Sequence, residues 1–137
     1  KVTVYPPNET DHIIRAMFFI NPFCHSSVMF NKDKYFLAGE YDPSFETSQD
    51  FDLWFRMASI GELSNLKDIL VTRRLTHSSL SVNFSKSLQQ IQNGLKVRIR
   101  EKKLYTGKFF YLNSFFVYFR SLLIILLPNP ILSLFKR

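Results

Sequence analysis

Residues 48–63 read SQDFDLWFRMASIGEL, and they set two carboxylates, Asp50 and Asp52, directly against a run of aromatic and aliphatic side chains. Thr47 or Ser48 can cap a helix at this point. Phe51, Trp54, Phe55 and Ala58 then fall on one stripe, and Gly61 stands where such a helix closes. Two residues apart, Asp50 and Asp52 do not share a helix face. With Ser48 as the cap, Asp50 occupies the first turn, where the positive end of the helix dipole favours an anion. Two readings stay open. Acids are common in first helical turns and aromatic stripes are usually core. Equally, a carboxylate held rigidly beside a cleft can take a proton from a hydroxyl.

Upstream, Asn8, Thr10 and Asp11 are candidate caps for a helix over HIIRAMFFI, which Asn21-Pro22 stops. HSSVMFN (residues 25–31) reads as a short strand. Asp33 caps a short helix, KYFLAG, that ends at Gly39, and EYDPSFE is turn chemistry around Asp42-Pro43. Downstream, residues 69–75 read as a further strand, and a helix is predicted over residues 85–105 with Leu88, Ile91, Leu95 and Ile99 on one face. Mixed helix and strand without repeats gives the class α/β or α+β.

The 137 residues suffice for one domain, and 46% hydrophobic content with 15 Phe excludes a disordered chain. The chain opens on KVTVYPPNET, without an initiator Met, which reads as the middle of a longer protein. Cys24 is the single cysteine, so an internal disulfide framework is excluded and a reducing compartment fits. The net charge of +7 is concentrated at one end: residues 96–137 carry nine Lys/Arg and one acid, Glu101, whereas residues 1–95 are nearly balanced.

That basic end is also the most apolar. FFYLNSFFVYFRSLLIILL, residues 109–127, approaches the roughly 20 residues needed to span a bilayer. Arg120 lies well inside the run, and a charge near the centre of a span costs about 2.5–3.5 kcal/mol. An in-plane interfacial segment escapes that cost, with Lys108, Arg120, Lys136 and Arg137 at headgroup level. A true span and an ordinary buried helix are the alternatives. The partner this favours is an anionic membrane surface; basic residues interleaved with long aliphatic runs suit lipid better than nucleic acid, which is not expected to bind.

Other chemistry-bearing residues are sparse. His77 follows VTRRLT, just beyond the second predicted strand, and reads as a metal ligand, a phosphate contact or a surface histidine. Arg73 and Arg74 read as phosphate contacts or as an exposed strand edge. His25 is a hydrogen-bonded structural histidine or a substrate contact. No zinc spacing, P-loop or dinucleotide fingerprint is present.

Three stretches, NPFCHSSVMFNKDKYFLAGEYDPSF, TSQDFDLWFRMASIGELSNL and LVTRRLTHSSLS, together resemble in order and spacing the second half of family-2 glycosyltransferases of the GT-A fold, in particular bacterial enzymes building surface polysaccharides. The resemblance covers roughly residues 20–82. It implies an α/β fold: the C-terminal half of a GT-A domain (residues 1–106), an incomplete sheet with flanking helices, followed by an amphipathic, membrane-associating helical tail (residues 107–137). It implies an inverting transfer from a nucleotide-sugar donor to a saccharide or lipid-linked acceptor at the cytoplasmic, inner face of the plasma membrane. Asp50 matches the catalytic base, and Asp52, Leu53 and Trp54 the structural continuation of its motif. His77, with Arg74, matches a contact to the donor diphosphate or its metal, while His25 and Trp54 lie on the acceptor side. The divalent metal, Mg or Mn, would be held mainly by an N-terminal half that this sequence does not contain, so these residues alone are expected to be inactive. Glu40 stands where the family often has a second glycine, and Gln49 where Glu is commoner. The rival expectation is a non-catalytic membrane-surface binding module.

Overall fold

The computed structural model describes residues 6–72, 84–105 and 110–126. Five α-helices are described: α1 (Thr10–Met17), α2 (Lys32–Leu37), α3 (Gln49–Ala58), α4 (Phe84–Arg100) and α5 (Phe110–Leu126). Short 3-10 turns occur at His25–Ser27 and Lys102–Leu104. No strand occurs among the described residues.

The expected α/β class, with its incomplete GT-A sheet, is therefore corrected to an all-helical arrangement. The reason is pairing. A strand persists only when neighbouring backbone satisfies its N–H and C=O groups. His25–Ser27 turns instead of extending, and the extended residues after it have no adjacent strand; Met29 is left 93% exposed. Of the second predicted strand, Ile69, Leu70 and Val71 are irregular and solvent-facing. Residues 73–75 lie outside the described residues, as do Arg73, Arg74 and His77.

The opening helix forms as read but is buried almost all round. Phe51, Leu53, Trp54, Phe55 and Met57 of α3 join Ile13, Met17 and Phe18 from the α1 segment and Val97 from α4 in one core. Phe18 sits at its aromatic node, edge-on to Phe55 at 5.0 Å, to Tyr105 at 4.9 Å and to Phe110 at 5.8 Å. Such pairs add to area burial because ring edges and faces carry opposite partial charge. Ser48 does hold the N-cap position of α3, but in the left-handed region (φ 66°) and without a capping side-chain bond. At α2 the cap is Asn31 rather than Asp33: its carbonyl oxygen accepts from the backbone N–H of Asp33 and Lys34. Thr10, expected as a cap, opens α1 instead, and its hydroxyl donates to Leu63 O at 2.8 Å.

α4 ends at Arg100, earlier than expected, and works on two faces. Asn93, Val97 and Arg100 point to α3 and the segment before it, whereas Ile91, Leu95 and Arg98 line a narrow gap against Ser114, Val117, Tyr118 and Ser121 of α5. Ile99, placed on the buried face by periodicity, is 45% exposed. No helix among the described residues is long and apolar enough to cross a membrane.

The helices are locked together by a buried carboxylate. Asp52 has no exposed surface; one oxygen accepts from Arg56 Nε at 3.0 Å and Nη2 at 2.6 Å, and the other accepts from Arg100 Nη2. The remaining Arg56 donors reach the carbonyls of Ala38 and of Glu40, the latter at 2.6 Å. Breaking a buried ion pair leaves uncompensated charge. Asp52→Asn is expected to lower unfolding free energy by about 3 kcal/mol in urea titration. Glu40 carries φ 59°, a conformation that costs a side chain more than it costs glycine. Glu40→Gly is expected to raise stability by about 0.5–1 kcal/mol in the same titration.

Candidate active site

Asp50 is the second residue of α3 and is half-buried, two positions past the left-handed Ser48. That placement follows from the local sequence: Ser48 O accepts the Asp52 N–H at 3.0 Å, closing the first turn, while Phe51 and Leu53 face the core on either side of it. Asp50 is left facing the loop after α1. There the Asn21 side-chain amide donates to its Oδ2 at 3.4 Å, and Asn21 Oδ1 in turn accepts the Phe23 N–H at 3.1 Å.

A cluster of aromatic rings is built around Trp54, and its Tyr41 feels the Asp50 charge. Trp54, one turn along α3, is 2% exposed and lies 5.9 Å from Phe23, 6.1 Å from the His25 ring and 5.9 Å from Phe30. Tyr41 approaches His25 edge-on at 6.2 Å and Tyr35 at 5.6 Å. The structure thus gathers Asp50, His25 and Trp54, three residues singled out from sequence, into one place. It adds Tyr41, Phe30 and Asn21, which sequence reading did not single out. The signals were there: Asn21-Pro22 read only as a helix stop, and Tyr41 only as turn chemistry before Asp42-Pro43. His77 and Arg74 lie outside the described residues, so their part in the constellation rests on sequence.

The electrostatics of the ring are legible in two groups. Burial, then the neighbouring Tyr35 and the Asp50 carboxylate, push the Tyr41 phenol above its ordinary range, so it remains a hydroxyl donor at neutral pH. Hydrogen bonds from the Ser44 side chain and backbone hold Asp42 below the usual carboxylate range and fix the turn that delivers Tyr41. The Trp54 indole N–H is buried with no hydrogen-bond partner. Among the described residues no three His, Cys, Asp or Glu side chains converge on a point that could hold a metal ion. The expected divalent metal would be held mainly by a part of the protein beyond this sequence, with His77 as a further contact, and His77 lies outside the described residues.

What this arrangement can do is accept a proton at Asp50 and receive a flat, partly apolar face against the rings. Sugar rings have such faces, with C–H groups on one side and hydroxyls at the rim.

The chain is 32% identical over 97 residues to the amylovoran biosynthesis glycosyltransferase AmsE of Erwinia amylovora. The match covers 67% of this chain but 36% of that protein, so the chain spans about a third of the relative's length. No protein-family model matches the chain, and no solved structure gives a significant match. The similarity is distant, partial, and to a glycosyltransferase of surface-polysaccharide synthesis.

Trp54 is the chain's one tryptophan, which makes its fluorescence a report on this site. Its emission is expected to be blue-shifted and weakly quenched by acrylamide. In Arg56→Lys the fork that holds the Ala38 and Glu40 carbonyls is lost, Tyr41 is released, and quenching rises; unchanged quenching would show that the fork does not hold the ring cluster together.

Proposed function

We propose that this chain supplies the acceptor side and the catalytic base of a family-2-type inverting glycosyltransferase that acts in cell-surface polysaccharide synthesis. The observation that carries the reading is the placement of Asp50: a half-buried carboxylate on the first turn of a fixed helix, one turn before the Trp54 that anchors an aromatic cluster, in a chain similar to a glycosyltransferase. The activity of the complete enzyme belongs to this proposal, because the chain spans only about a third of its relative.

In this reading an acceptor sugar lies against the aromatic ring cluster with one hydroxyl directed at Asp50. That hydroxyl oxygen attacks the anomeric carbon of a nucleotide-sugar donor from the side opposite the diphosphate. The new C–O bond forms as the bond to the nucleoside diphosphate breaks, the configuration inverts, and the hydroxyl proton passes to Asp50. His25, exposed at the rim, and the Tyr41 hydroxyl are placed to orient neighbouring acceptor hydroxyls. Donor contacts fall to His77, Arg74 and residues beyond this chain, together with whatever divalent ion that part of the protein holds.

A second reading concerns α5. Tyr111, Leu112, Phe115, Phe116, Phe119 and Leu123 are all exposed. At 100° per residue they fall within roughly 140° of the helix circumference, a continuous apolar band. Lys102 and Lys103 are exposed beside its start, and Lys102 Nζ donates to the Tyr111 hydroxyl at 3.1 Å. Such a band with flanking cations suits the interface of an anionic bilayer, the cytoplasmic face of the plasma membrane in this proposal. It serves equally a lipid-linked acceptor or a purely membrane-binding, non-catalytic module.

Two measurements separate these roles. Asp50→Asn in the complete protein is expected to lower sugar transfer by about 10²–10⁴-fold while leaving vesicle binding intact. Transfer at the unmodified rate would remove Asp50 as the base and favour the membrane-binding module. Phe115→Glu with Phe119→Glu is expected to abolish sedimentation with phosphatidylserine-containing vesicles. Retained sedimentation would show that the α5 band is not the contact.

A further inference from the structure

We propose that Asn93 of α4 is a positioning residue for Asp50, an inference that rests on the base reading above. Asn93 is only 8% exposed, on a helix face where its neighbours are Val97 and Arg100. Asn is a poorer helix former than the aliphatics that would otherwise fill such a position, and its amide costs free energy to bury unless paired. It is paired: Nδ2 donates to Thr47 O at 3.0 Å and to Thr47 Oγ1 at 3.2 Å.

Thr47 immediately precedes Ser48, whose left-handed backbone turns the chain into α3 and whose own side chain makes no capping bond. A residue in that conformation persists only where its surroundings fix it. The fixing comes from α4. Gln89 Nε2 donates to Glu46 Oε2 at 3.2 Å, Asn93 holds Thr47, and Arg100 holds Asp52. Three polar residues along one side of α4 thus grip positions 46, 47 and 52 in register. Asp50 lies inside the gripped segment and faces away from α4, toward Asn21. Asn93 acts nearest to it, on the carbonyl whose direction sets the Ser48 turn.

The role is conveyed through Asp50 and has no contact with substrate, so it predicts coupling. In the complete protein, Asn93→Leu keeps the branched side-chain shape, somewhat enlarged, but removes the amide that donates both bonds. It is expected to lower kcat for transfer about ten- to a hundredfold, the scale of an ångström-level misplacement, with acceptor KM little changed. In an Asp50→Asn background the same substitution is expected to change the residual rate by less than about twofold, since there is no base left to misplace. Thr47→Val removes one of the two acceptors and should show the same pattern at smaller amplitude. It carries the test if Asn93→Leu does not fold.

Equal losses in both backgrounds would make Asn93 merely structural and overturn the proposal, as would an unchanged kcat in Asn93→Leu. The base reading fails separately, on its own observation: Asp50→Asn transferring at the unmodified rate overturns it and the positioning role with it.

Discussion

The Asp52 carboxylate sets the terms for everything around it. A fully buried charge is tolerated only when its neighbours satisfy every lone pair, and those neighbours must come from whatever elements the fold brings close. Here one guanidinium comes from the next turn of the same helix and the other from α4. Each has further obligations. Arg56 uses its other donors on the carbonyls that end α2, and Arg100 donates from Nε to Glu101 at 2.9 Å. Burial alone would lower the affinity of Arg100 for its proton, but the bonds to Asp52 and Glu101 outweigh it and hold the guanidinium above its ordinary range. The end of α2, the start of α3 and the end of α4 are therefore fixed relative to one another by one chain of charge-assisted bonds.

Much of this was legible in SQDFDLWFRM, and the illegible part has a definite cause. Apolar spacing locates α3, because period and burial coincide there. It cannot assign Asp52, since a buried acid reads the same as a solvated one until the cations from other elements are placed. The two acids do part company: Asp52 is buried between Arg56 and Arg100, and Asp50 is half-buried beside Asn21. The reading of α4 put Ile99 on the buried seam because a single stripe was assumed. The helix is covered on two faces, so its polar residue Asn93 is inside, Arg100 reaches in from the edge to the buried Asp52, and Ile99 is out. The strands over residues 25–31 and 69–75 were read from short apolar runs, and such runs do not reveal whether a partner strand exists. None is present among the described residues.

The candidate site shows the same division. Asp50, His25 and Trp54 were named from sequence, and they converge because the loop after α1 and the turn after α2 both fold over the start of α3. Tyr41 escaped notice because its position depends on two successive left-handed residues, Gly39 (φ 85°) and Glu40 (φ 59°), and on the Arg56 fork that holds them. Nothing in the spacing of EYDPSF carries that information. The same fork explains how Glu can stand where a glycine would be easier: the carbonyl of Glu40 is held by a charged donor, which offsets part of the strain in its backbone.

The surplus of positive charge near the C-terminus also changes meaning once the side chains are placed. Arg100 is spent on ion pairs with the buried Asp52 and with Glu101. Arg98 lies over the Phe51 ring at 4.8 Å with its Nε buried and without a partner, and burial pushes its guanidinium down to about 10. Both cations come from α4; Arg98 is committed to packing, and Arg100, though partly exposed, is committed to its ion pairs. Of the cations from 96 to 105, Lys96, Lys102 and Lys103 are exposed and outside these ion pairs. Attraction to an anionic surface is correspondingly weaker than the composition suggests, each exposed cation near such a surface being worth about 1 kcal/mol. The weight of any membrane contact then shifts to the α5 band, where each phenylalanine transferred from water is worth about 1.5–3 kcal/mol. By that arithmetic apolar insertion dominates over charge, and salt should weaken such binding less than the net charge alone implies.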